Sequence, residues 1–178
     1  MNMTNRLIVI SSLVVLHLAG CSPTKKGTPY QIKRIALLDV QGLSGGQNIY
    51  IDSRGHGWRE IVNPGKTGLE TVRFEFVTTK GTLDEFAELV RKHDFFDIKT
   101  KDRPGIPDEA HPVIYIETLD GRSVYIRKWA NDKNANFDPI YEELLRWAEE
   151  NRKKVGSKDE PRPFDGKWRP GGFKDVNP

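Results

Sequence analysis

Cysteine is almost absent: the 178 residues contain one, Cys21. No intramolecular disulfide can form, so an exported domain built from this chain must rely on its own apolar core. Histidine is sparse, four in all. None of His56, His93 and His111 has a second histidine at the spacing of a helical metal pair. Charge of one sign is also lacking. The formal net charge is +3, and residues 1–20 contribute only Arg6, which leaves the remainder near +2. That excludes a general nucleic-acid binder, which needs a clustered basic face. Gly42-Leu43-Ser44-Gly45-Gly46 has the Gly-x-Ser-x-Gly spacing but leads into a strand pattern and not a helix, so it is not read as a nucleophile elbow. No Walker loop occurs, and Ser44-Gly45-Gly46 and Arg54-Gly55-His56-Gly57 read as turn glycines. Long hydrophobic runs are missing too. The apolar stretch Leu7 to Leu18 covers about 12 residues, against the ~20 that a membrane-spanning helix needs.

That short run is nevertheless informative. A polar head with one cation, Met1 to Arg6, precedes it, and Leu18-Ala19-Gly20-Cys21 follows it. Head, apolar core and small-residue cleavage site are the parts of an export signal. The four residues match the lipobox, and the segment resembles that of bacterial lipoproteins. The resemblance implies cleavage before Cys21, lipid on its sulfur, and a membrane as partner. Ser22 stands where an aspartate retains some lipoproteins at the inner membrane, so the outer membrane is expected if there is one. Residues 21–31 then form a tether, with Ser22 to Pro29 too rich in proline and glycine to fold.

Behind the tether the pattern predicts an α+β domain over residues 32–155. Ile32 to Val40, Asn48 to Asp52 and Trp58 to Val62 read as strands, the first buried on both faces. Thr71 to Thr79 alternates cleanly, Val72, Phe74 and Phe76 against Arg73 and Glu75. Thr82-Leu83-Asp84-Glu85 is a capping box opening a helix with the stripe Leu83, Phe86, Ala87, Leu89, Val90. Asp120-Gly121 joins two further strands as a two-residue hairpin, which sets Tyr115 opposite Ile126 and Glu117 opposite Val124. Asp138 caps a last helix with Pro139 at its first position. The expected architecture is an antiparallel sheet of about five to six strands with two helices packed on one face. This layout resembles a family of uncharacterised secreted bacterial domains of unknown function. The glycine-cysteine-proline signature of that family's first turn is replaced here by Gly42-Leu43-Ser44-Gly45-Gly46.

Three places are candidates for chemistry. Asp132, Asn134, Asn136, Asp138 and Glu143 put oxygen donors at the spacing of a calcium loop. Phe137 occupies the position that needs glycine, and a plain strand-to-helix turn explains the same residues. Asp108-Glu109-Ala110-His111 offers a base or a ligand within a proline-rich loop, whose bland reading is a solvated connection. Residues 156–178 form a Pro/Gly-rich tail in which Phe164, Trp168 and Phe173 alternate with Lys167, Arg169 and Lys174. That tail is either a free arm for a partner or a flap folded back on the sheet around Ile114, Ile116 and Tyr125. The expectation for the whole is a lipid-anchored envelope protein that binds an envelope protein or the cell wall, with no nucleic acid, no catalytic residue and no resident cofactor. The alternative is an envelope hydrolase or a Ca²⁺-dependent module using residues 132–143.

Overall fold

The computed structural model describes residues 30–155 and 160–177. The expected signal segment, Cys21 and residues 22–29 of the tether lie outside them.

The chain opens with four antiparallel strands in a meander: β1 (Ile32–Gln41), β2 (Gly45–Asp52), β3 (His56–Pro64) and β4 (Leu69–Val77). Helix α1 (Lys80–Lys92) and the loop through residue 112 carry it back to β5 (Val113–Thr118), which lies antiparallel beside β1. Strand β6 (Ser123–Arg127), helix α2 (Asp138–Val155) and a two-residue strand β7 (Arg162–Pro163) follow. The sheet order is β6-β5-β1-β2-β3-β4-β7, which puts the continuously apolar β1 in the interior. The fold is α+β, a seven-stranded antiparallel sheet with two helices.

Alternation along the strands separates two faces. Ile35, Leu37, Ile49 and Ile51 meet Leu83, Phe86 and Val90 of α1 and Ile140, Leu144 and Trp147 of α2. Burying a side chain of this size is worth ~1.5–3 kcal/mol, so the helix-side layer dominates stability. The other face carries Ala36, Leu38, Tyr50, Val113 and Tyr115, and the tail covers it with Phe173 and Val176. The tail therefore folds back. It lands on Tyr50 and Tyr115 rather than on Ile114 and Ile116, which belong to the helix side. Arg34 holds it there, donating to the Gly172 carbonyl at 2.7 Å and to Asp175 Oδ1 at 2.6 Å. Pairing of Arg162 with Thr71 supplies the seventh strand.

Three local expectations are corrected. The cap of α1 is Thr79, whose hydroxyl accepts from the Thr82 amide at 3.1 Å; the chain turns into the helix right after β4, so the first threonine takes the role. The hairpin loop has three residues, Leu119-Asp120-Gly121, closed where the Thr118 amide donates to Arg122 O at 2.9 Å. Gly121 supplies the left-handed residue at φ +87° that such a loop ends on. The slip pairs Tyr115 with Tyr125 and Ile116 with Val124. It sorts Ile114, Ile116 and Ile126 onto the helix side, a gain the two-residue register forgoes. Finally, Tyr141 N donates to Phe137 O, so Phe137 is the cap of α2 and Asp138 lies in its first turn. The reason is local: the Asn134 side chain accepts from the Asn136 and Phe137 amides at 3.0 Å and closes the turn one residue earlier.

Candidate functional site

Antiparallel pairing gives the sheet two distinct ends. The end of β1, the start of β2, the start of β5 and the end of β6 lie together, away from Ile32 where β1 begins. The proline-rich loop closes over that far end. The ladder of the last hairpin continues past it, with Lys128 N donating to Pro112 O at 3.1 Å and Ala130 N to Ala110 O at 2.9 Å. This extension sets His111 against Trp129, ring edge to ring face.

Arg103 organises the loop. Its guanidinium makes a fork with Glu109, at 2.7 Å and 3.0 Å, and its Nε donates to Asp132 Oδ1 at 3.1 Å. It also lies over the Trp129 ring, 5.1 Å from the centroid. Glu109 accepts in addition from the Asn131 amide at 3.0 Å, and its side chain is 1% exposed. The arginine fork and these amides hold the Glu109 carboxyl down at about 2, far below its ordinary range. Gly105 packs against the Trp129 ring so closely that a Cβ there collides with it. His111 is shifted below the usual imidazole value, by desolvation first and by the Arg127 charge next. It is therefore a neutral imidazole at pH 7, able to donate from one nitrogen and accept at the other.

Two clefts flank the segment Asp108–His111. One, of about 270 Å³, is lined by Thr100, Lys101, Asp102, Arg103, His111, Arg127 and Trp129. The other, of about 350 Å³, lies among Asp39, Gln41, Ser44, Asp108, Glu109 and His111. Asp39 accepts from the Tyr141 hydroxyl at 2.6 Å, and burial pushes its carboxyl above the ordinary value. The first cleft is thus aromatic-walled with three cations against the one carboxylate of Asp102, and the other is acidic.

The candidate calcium residues have other occupations. Asp132 binds Arg103, and the Asn134 oxygen is used by two amides. Asp138 sits 3.0 Å from Lys128 Nζ and accepts from the Asn134 amide at 2.9 Å. Asn136 is exposed, and Glu143 accepts from Arg146 on the next turn of α2. Asp132, Asn134 and Asp138 are thus brought together through Arg103, Lys128 and the turn, with Glu143 apart. Among the described residues no three His, Cys, Asp or Glu side chains converge as a metal-holding group. Cys21 lies outside the described residues. His56 approaches Glu75 at 3.0 Å beside Trp58, and His93 is the C-cap of α1.

The sequence pointed to His111 but passed over Lys101, Arg103, Arg127 and Trp129. One signal was available. Arg127 and Trp129 are in phase with Tyr125 along a strand, so hairpin pairing brings them to the same face as His111. The class defined so far is an α+β domain with a pair of oppositely charged clefts at the end of its sheet. No family model, curated protein or solved structure matches the chain.

Proposed function

We propose that the chain is a lipid-anchored cell-envelope protein whose folded body is a binding or structural domain rather than an enzyme. The observation that carries this is Leu18-Ala19-Gly20-Cys21, placed directly after an apolar run too short to span a bilayer. Lipid on the Cys21 sulfur is the anchor. One acyl chain gives only marginal attachment, so stable anchoring calls for more than one. Strand β1 begins at Ile32 and runs toward the end of the sheet that holds the clefts at His111. An envelope protein or the cell wall is the partner expected at those clefts. With Ser22 after the cysteine, the outer membrane is the favoured location where one exists. The charged groups of the clefts support a binding role. The Glu109 carboxylate is spent on Arg103, which makes it part of the scaffold of the clefts.

Membrane fractionation tests the proposal. The chain is expected in the membrane pellet and to take up labelled fatty acid, and Cys21→Ser is expected to abolish the label. A Cys21→Ser chain that is still labelled refutes it.

A further inference from the structure

We propose that the cleft beside Trp129 binds one compact anionic group, a carboxylate or a phosphate monoester, with Arg127, Lys101 and His111 as its contacts. The inference deepens the reading of the body as a binding domain and does not depend on the anchor.

The cleft contains two kinds of cation. Arg103 is spent, since its donors go to Glu109 and Asp132 and its flat face lies on Trp129. It acts as a wall that fixes the indole and, through the Gly105 contact, the loop around it. Arg127 and Lys101 are different. Both line the cleft, both are exposed, and neither has a carboxylate within ion-pair distance among the described residues. Exposed cations without an ion pair occur elsewhere among the described residues, Lys66, Lys92 and Lys133 among them; what sets Arg127 and Lys101 apart is that they share one cleft. Two unpaired cations on one concave, aromatic-walled surface are the donors that an oxyanion takes, the arginine in a fork and the lysine as a point charge. The His111 ring stands between this cleft and the acidic one and supplies a neutral N–H.

The acidic cleft sets the size of the ligand. Asp39, Asp108 and Glu109 lie just across His111. A chain of anionic groups running past His111 meets those carboxylates and is repelled, whereas a single terminal anion is not. The site is therefore expected to reject polyanions and to accept the end group of a ligand.

The test uses the full chain in detergent micelles and follows the Trp129 indole N–H by NMR during titration. The probes are acetate, inorganic phosphate and glycerol 3-phosphate. Saturable shifts at Trp129 and at the amides of residues 101–111 are expected with at least one of them. Arg127→Gln and Lys101→Gln are each expected to weaken that binding by at least tenfold, and Lys174→Gln in the tail to leave it unchanged. Tighter binding of glycerol 3-phosphate than of phosphate assigns the group to a lipid headgroup; the reverse order assigns it to a free anion, and both support the site. Absence of saturation with all three probes overturns it, as does unaltered affinity in Arg127→Gln. Long-chain polyphosphate that binds far more tightly per group than phosphate also overturns it. None of these failures touches Cys21, whose lipidation is read separately by mass.

Discussion

Truncating Phe173 to alanine isolates the contribution of the tail that covers the second face of the sheet. Phe173 is fully buried, with ring centroids 5.3 Å from Tyr50 and 6.1 Å from Trp58. Removing its ring forfeits burial of ~1.5–3 kcal/mol and ring contacts of about 0.5–1.5 kcal/mol. A rigid core also suffers a cavity, which raises such losses to ~3–5 kcal/mol. The tail has another way out. It is held by a two-residue strand, by Arg34 on Asp175 and Gly172, and by the contacts of Trp168 and Val176 beside Phe173, with no helix or long strand of its own. It is therefore expected to lift away, limiting the loss to about 2–4 kcal/mol and leaving the helix-side core intact. Urea unfolding followed by tryptophan fluorescence and by far-ultraviolet circular dichroism reads both effects. Fluorescence sums four tryptophans, of which Trp58 and Trp168 lie on the tail face and Trp147 in the helix-side core. An early part of the fluorescence change is therefore expected at lower urea than the transition in dichroism. Coincident transitions at the unaltered midpoint, within about 0.5 kcal/mol, refute the reasoning.

Gly121→Ala, forced into a left-handed conformation at φ +87°, is expected to cost about 1 kcal/mol in chemical denaturation. Thr79→Ala, which deletes the α1 cap, is expected to cost ~1 kcal/mol, whereas Thr82→Ala costs less if Thr79 is the cap. Glu109, held down at about 2, contributes stability that is complete above its unfolded value near 4.5 and is lost as pH falls toward 2. Melting across that acid window is expected to be shallower in Glu109→Gln than in the native chain. His111, lowered in the fold, favours the folded state above its unfolded value near 6.5 and loses that contribution as pH falls below it. A histidine titration by NMR that places His111 above its ordinary value contradicts the arrangement around Arg127.

Strands β1 to β6 and both helices were legible because their apolar residues recur at the periods of a buried strand or a helix stripe. The tail strand was not. Arg162-Pro163 carries no pattern of its own, and its position depends on Thr71, far away in the chain. The same holds for the ion pair of Arg34 with Asp175, 141 positions apart. The hairpin shows a different limit. Asp-Gly marked the turn, yet loop length was decided by which register buried Ile114, Ile116 and Ile126 together. At the candidate site, His111 stood out as a rare residue in a loop. Arg103 lay hidden among prolines, and its role appears only when Glu109 and Asp132 are folded onto it.

The covered second face has one further physical consequence. Glu60 is fully buried there, accepting from Asn48 Nδ2 at 2.8 Å and Arg73 Nε at 2.9 Å. The Arg73 guanidinium in turn lies 3.9 Å from the centroid of the Trp168 ring. A buried carboxylate is tolerated only when its partners are present, since removing one leaves an uncompensated charge. The tail thus completes a charged network as well as an apolar one, with Trp168 capping Arg73 and shielding Glu60 from water.

Intact mass of the protein extracted from membranes addresses the central claim most directly. The expected species begins at Cys21 and carries a diacylglycerol thioether on it, with residues 1–20 absent. A membrane-extracted chain that retains residues 1–20 with an unmodified Cys21 contradicts the claim.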